Sequence, residues 1–104
     1  MNQPKRGEVW IVNIGLSAKV RPCLILSVSI EITDRALVTV VPHTTSTRYS
    51  RFEVKVTAPF FKSGVFDAQN IITIPLSKLE RKVWFLNVEQ IRVIEDAVKK
   101  WLGF

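Results

Sequence analysis

The sequence predicts a mainly β fold, a small closed or nearly closed barrel finished by one C-terminal helix. Short apolar or alternating stretches recur along most of the chain, each stopped by Pro, Gly or a turn. The clearest runs from Phe52 to Val56. It sets Phe52, Val54 and Val56 on one face and Glu53 and Lys55 on the other, the period of a half-buried antiparallel strand. Only at the end of the chain does the period become that of a helix. Closing so many short strands into a barrel removes exposed edges.

Glu8 to Ile14 reads as the first strand, ended by Gly15. A short loop, Leu16 to Val20, leads to the most apolar strand, in which Arg21-Pro22 runs into Cys23-Leu24-Ile25-Leu26-Ser27-Val28-Ser29-Ile30. Thr33-Asp34-Arg35 is a turn, and Ala36 to Val41 is a strand closed by Pro42. Pro59 stops the Phe52–Val56 strand, and Pro75 stops another over Asn70 to Ile74. The helix opens at Asn87, with Gln90 three residues on in capping-box position. Ile91, Ile94, Val98 and Trp101 form its apolar stripe, widened by Ala97 and Leu102, and Gly103 follows as C-cap. Burial of Trp101 should stabilise the fold by about 3 kcal/mol.

Composition narrows the function classes. The 104 residues make one domain, 1–104, which buries roughly two-thirds of the unfolded surface. Fifteen Lys and Arg against nine Asp and Glu give a net charge of +6, so a polyanion is the default partner. One Cys and one His exclude an internal disulfide and a Cys/His zinc site. No cofactor and no metal are expected. Neither an apolar leader nor a membrane-length apolar run is present, so a soluble, cytoplasmic protein is expected.

Arg21 stands out because an arginine keeps its charge at any usable pH. Pro22 restricts the backbone before it to extended conformations, so the guanidinium is held at a strand mouth. A second cluster follows the third strand: Pro42-His43-Thr44-Thr45-Ser46-Thr47-Arg48-Tyr49-Ser50-Arg51. Its consecutive hydroxyls and two arginines suit phosphate oxygens, although an ordinary Ser/Thr-rich turn has the same composition. If strands two and three pair antiparallel, Arg21 and Thr44 converge.

The blocks Arg6-Gly7-Glu8-Val9-Trp10, Arg21-Pro22-Cys23-Leu24-Ile25-Leu26-Ser27 and Val41-Pro42-His43-Thr44-Thr45-Ser46 resemble the MazF/PemK (Kid) family of toxin ribonucleases. That family is related in fold to the gyrase poison CcdB. The likeness takes in Phe52-Glu53-Val54, the Asp67 to Ile74 segment and the closing helix. It implies an SH3-like barrel of the CcdB/PemK type, a homodimer, and metal-independent, sequence-selective cleavage of single-stranded RNA such as mRNA. The 2′-hydroxyl attacks the adjacent phosphorus, leaving a cyclic phosphate and a 5′-hydroxyl. A cognate antitoxin would neutralise the toxin, and DNA would be met only indirectly, through the antitoxin. By this resemblance Arg21 is the catalytic arginine and Thr44 the catalytic threonine. Asp67 and His43 are candidates for proton transfer, and Lys19, Thr45, Ser46, Thr47, Arg48, Arg51 and Gln69 for RNA binding.

Two features depart from the family pattern. The loop before Arg21 is short. An adjacent Asp-Gln pair is replaced by Asp67-Ala68-Gln69, and one residue along a strand switches faces. Asp67 is then expected to need a bulge to reach the site. Cys23 reads as a small buried hydrophobe, Trp10 as core or dimer contact, and Trp84 and Phe85 as packing residues that could instead stack a base. Two other readings stay open: a non-enzymatic topoisomerase poison like CcdB, and a catalytically silent barrel that binds nucleic acid or protein.

Overall fold

The computed structural model describes residues 3–14, 20–61 and 63–104. The strands are β1 (Glu8–Asn13), β2 (Val20–Ile25), β3 (Leu37–Thr44), β4 (Glu53–Val54), β5 (Val65–Asp67), β6 (Ile72–Pro75) and β7 (Leu79–Phe85), followed by helix α1 (Val88–Leu102). They form a mainly antiparallel sheet in the order β4-β5-β3-β2-β1-β7, with β6 also paired to β3. The mainly β class with one C-terminal helix is as the sequence predicts, but the sheet path is open. Register shifts between Val9 and Trp10 and between Ile11 and Val12 interrupt the β1–β7 ladder. Irregularities of this kind increase local twist and bend a strand.

The sheet has two apolar faces, and alternate residues of β2 and β3 divide between them. Leu24 and Val41 join Val9, Phe66 and Ile94 in one core, capped by α1. Cys23, Ile25, Val38 and Val40 join Trp10, Val12, Ile74 and Leu79 in the other. Cys23 is fully buried, and burial pushes its thiol up to about 12 even with the opposing charge of Arg21, so it remains a neutral thiol near pH 7. Trp10 is also core, its Nε1–H donating to Glu8 Oε1 at 3.0 Å.

Several boundaries differ from expectation. β3 runs through Pro42 rather than stopping there. On its outer side the β6 ladder ends at Val40 and the β5 ladder begins at His43, so the proline sits at a break in pairing. β2 ends at Ile25 rather than Ile30, because the Leu26 and Ser27 N–H groups both turn to Thr39 O. Phe52 to Val56 keeps its alternating burial, but only Glu53 and Val54 pair in the ladder. Asn70 closes a 3-10 turn rather than opening β6. β7 was not expected from the sequence, because Glu80, Arg81 and Lys82 mask its period. Charges of this kind are what an exposed edge strand carries.

Helix α1 matches its prediction. The Asn87 side chain accepts from Gln90 N–H at 2.8 Å and Gln90 Oε1 accepts from Asn87 N–H at 3.0 Å, completing the capping box. Gly103 sits in the left-handed region at φ 84° and closes the helix. Trp101 departs from expectation: it is 43% exposed, with its ring set edge to face against Phe52 at 5.5 Å between centroids, so it contributes less than a buried tryptophan. Among the described residues no helix is long and apolar enough to cross a membrane. The centre of the fold is Phe66, which is fully buried. Phe66→Ala should cost roughly 3–5 kcal/mol in urea unfolding, while Trp101→Ala should cost clearly less.

Candidate active site

Strands β2 and β3 separate at one point. Their ladder stops at Cys23↔Pro42, and the next positions along it carry Pro22 on one strand and His43 on the other. Beyond that point β2 stays paired with β1, through Ile11↔Pro22 and Val12↔Arg21. β3 turns instead to β5, through His43↔Phe66 and Thr44↔Val65. The two strands thus form a fork, each tine held by a different neighbour. Arg21 and Thr44 sit just past the split, at positions that would oppose each other had the ladder continued.

Arg21 and Thr44 line one cleft of about 370 Å3, together with Ser46, Arg48, Glu53 and Asp67. The Thr44 oxygen accepts from Ser46 N–H at 3.1 Å, which leaves the hydroxyl hydrogen available to a ligand. Glu53 organises the following loop, its carboxylate accepting from the N–H of Arg48 at 3.0 Å and of Ser50 at 3.0 Å. Arg21 is half-buried and makes no ion pair among the described residues.

Asp67 enters this cleft without a bulge in its own ladder. It pairs with Glu53 and lies two residues from Val65, the partner of Thr44, so all share one face. The expected switch of faces does not arise because β5 ends at Asp67 and the chain leaves in a 3-10 turn, Ala68–Asn70. The Asp67 carboxylate caps that turn. It accepts from Gln69 N–H at 3.2 Å and from Asn70 Nδ2–H at 2.7 Å.

His43 faces away from Thr44, as neighbours on a strand must. It lines a second cleft, shared with Arg21 and Thr45. Its ring lies 4.6 Å from Phe61 and 5.0 Å from Phe66, centroid to centroid. Burial, and then the charge of Lys55, lowers its pKa below the ordinary 6.5, so the imidazole is neutral near pH 7.

The expected RNA-binding residues divide. Ser46 and Arg48 line the Arg21–Thr44 cleft and Thr45 lines the second. Thr47 and Gln69 line neither. Arg51 is drawn away, its guanidinium 4.6 Å from the centre of the Phe52 ring. Lys19 lies outside the described residues. The sequence reading missed Glu53, Asn70 and Gly64 as site-shaping residues. Gly64 has φ +92°, and a Cβ there would meet Thr44 O at 2.4 Å and His43 Cε1 at 2.7 Å. Only glycine lets β5 approach β3 this closely. The cue was present as Ser63-Gly64 before the apolar pair Val65-Phe66.

Among the described residues no group of three or more His, Cys, Asp or Glu side chains could hold a metal ion. Residues 5–102 match the family model described as PemK-like, MazF-like toxin of type II toxin-antitoxin system. The chain belongs to this family. No curated protein matches it. Among solved structures, the Mycobacterium tuberculosis toxin MazF-mt6 is 29% identical, with a TM-score of 0.77 over 93% of this chain and 97% of that one. A mycobacterial endoribonuclease in complex with its cognate antitoxin is 26% identical, with a TM-score of 0.80 over 100% of this chain and 97% of that one. MazF from Deinococcus radiodurans, at 21% identity, shares the fold with a TM-score of 0.84 over 100% of both chains. The MazF-like fold thus persists where most side chains have changed.

The burial of His43 has a measurable consequence. A neutral buried imidazole resists protonation in the folded state, so the unfolded chain binds the proton more readily. Stability is therefore full above pH 6.5 and falls as the pH drops below that value towards the folded-state pKa. Urea unfolding between pH 7.5 and 5 should show this loss in the wild type, and His43→Phe should reduce it.

Proposed function

We propose that this MazF-like toxin is an endoribonuclease that cuts single-stranded RNA by attack of a ribose 2′-hydroxyl on the adjacent phosphorus. The observation that carries this reading is the fork, which brings Arg21 and Thr44 into one cleft from two separately held strands. The scissile phosphate sits between them. The Arg21 guanidinium spans two phosphoryl oxygens, and its fixed charge stabilises the negative charge that develops on the phosphorane. Thr44 donates its O–H to a phosphoryl oxygen, its own lone pair being engaged by Ser46 N–H. Asp67 receives the proton of the attacking 2′-hydroxyl, oriented by Gln69 N–H and the Asn70 amide. As the 2′-O–P bond forms, the bond from phosphorus to the 5′-oxygen breaks and that oxygen takes a proton from water, so the products end in a 2′,3′-cyclic phosphate and a 5′-hydroxyl. His43 takes no part in proton transfer, because it lies in the neighbouring cleft, on the opposite face of β3 from Thr44.

Ser46 and Arg48 carry the RNA backbone along the cleft. An acidic antitoxin segment would compete for the same cations, which is how a toxin of this family would be neutralised. The toxin acts as a cytoplasmic homodimer. Exposed Val88, Leu102 and Phe104 supply apolar surface for such a contact. DNA is approached only through the antitoxin.

Arg21→Ala should lower the cleavage rate on the order of 10²–10³-fold or more, as for loss of a transition-state donor. The thermal midpoint should stay within a few degrees. Arg21→Lys should recover little, since a point charge does not reproduce the planar fork. Thr44→Ala should lower kcat with KM nearly unchanged, because one hydroxyl acts mainly in the transition state. Cleavage should continue in EDTA. Cleavage that survives Arg21→Ala, or that stops in EDTA, would move the active site elsewhere.

A further inference from the structure

Arg21 is a wall of two clefts, and the reaction uses only one. The second, about 570 Å3, opens on the other side of β3, with His43, Phe60, Phe61, Thr45 and Ser63 beside Arg21. Its character is different. The first cleft holds carboxylates and hydroxyls; this one is walled by rings and has hydroxyls only at its exposed rim.

The rings form a continuous row. His43 and Phe61 lie 4.6 Å apart, Phe61 and Phe60 4.9 Å, Phe60 and Trp84 6.3 Å, and Trp84 and Phe85 6.2 Å, centroid to centroid. The last two pairs are close to parallel, at 15° and 19°. Phe60 is 41% exposed and Phe85 is 70% exposed, so the row surfaces both in the cleft and at the far end. Buried and half-buried rings thus back two exposed ones, and an exposed ring braced from behind and set beside a fixed cation, as Phe60 is beside Arg21, is the feature of a stacking platform for an unpaired base.

We infer that this cleft holds the nucleobase of a nucleotide flanking the scissile phosphate, stacked on Phe60, and so sets the toxin's sequence preference. The inference rests on the proposed Arg21–Thr44 phosphate site. Because Arg21 borders both clefts, a phosphate held on its guanidinium leaves the adjoining base beside the aromatic wall. Neutral His43 stiffens that wall as an aromatic neighbour of Phe61. The Thr45 and Ser63 hydroxyls stand where a base edge would be read. An unpaired base is required, because a paired base shows no free face to Phe60. Phe60 is therefore a specificity-determining residue that touches substrate without taking part in the chemistry.

The test uses an RNA oligonucleotide made uncleavable by a 2′-deoxy sugar at the cut site, with a fluorescent adenine analogue placed in turn at each flanking position. Wild-type toxin should quench the fluorophore most strongly at one position. Phe60→Ala should release that quenching and weaken binding roughly 5- to 150-fold, the range that stacking one base carries. Phe60→Tyr should retain both. If Phe60→Ala is too unstable, Phe60→Leu removes the ring and keeps the apolar bulk. On a random RNA pool, the ring-less variant should lose nucleotide preference at that one position while still leaving cyclic phosphate ends. Unchanged preference and affinity, with the wild type still cutting, would overturn the base cleft and leave the catalytic site intact. A wild type that does not cut RNA would instead remove the catalytic reading on which the cleft rests. Loss of binding to an acidic peptide alone, with RNA preference unchanged, would make the cleft a protein-docking site and also overturn the inference.

Discussion

The separation of β2 from β3 is the constraint on which the candidate site depends. A ladder that continued past Cys23↔Pro42 would zip Arg21 against Thr44 and leave no space for a ligand. Two prolines, each without an N–H to donate, stand at the end of that ladder. The strands do not fray there, because β1 continues to pair β2 and β5 takes over β3. An opening is thus made inside a sheet while both of its walls stay rigid. Gly64 makes the second wall possible by letting β5 lie against the His43–Thr44 backbone. Functional side chains on braced strands are held more narrowly than they would be on loops.

The alternation of β3 then divides the surface beyond the fork. Pro42 and Thr44 face the cleft that holds Asp67 and Glu53, while His43 and Thr45 face the aromatic cleft. One row of hydroxyls therefore serves two environments, a charged one suited to a phosphate and an apolar one suited to a planar base. Arg21 belongs to both, and its position would join the reaction to recognition.

Much of this was legible in the sequence. The helix could be read because its caps and its stripe are local: Asn87 and Gln90 bond to each other, and Ile94, Ala97 and Val98 repeat at helical spacing. Arg21 could be picked out because Pro22 fixes the backbone before it whatever the fold, and Thr44 because it opens a run of hydroxyls and matches the family pattern. Features set by partners distant in the chain could not. Whether Pro42 ends a strand depends on the break between β6 and β5. Which way Asp67 faces depends on where β5 stops, and the 3-10 turn that decides this has no strong local signal. β7 hides behind the solubilising charges of an edge. Trp101 has the spacing of a core residue but lies at the last turn of α1, where the sheet no longer covers it. The placement of Arg51 over the Phe52 ring and of Gln69 in the 3-10 turn was likewise not legible.

The most direct test is a crystal structure of the protein with RNA made uncleavable by a 2′-deoxy sugar at the cut site. The expected result is one phosphate between the parted strands, with the Arg21 guanidinium across two of its oxygens, Thr44 Oγ1 within hydrogen-bonding distance of one, and Asp67 facing the sugar that would carry the 2′-hydroxyl. A scissile phosphate seated elsewhere, with Arg21 and Thr44 untouched, would contradict the assignment of the fork as the catalytic centre.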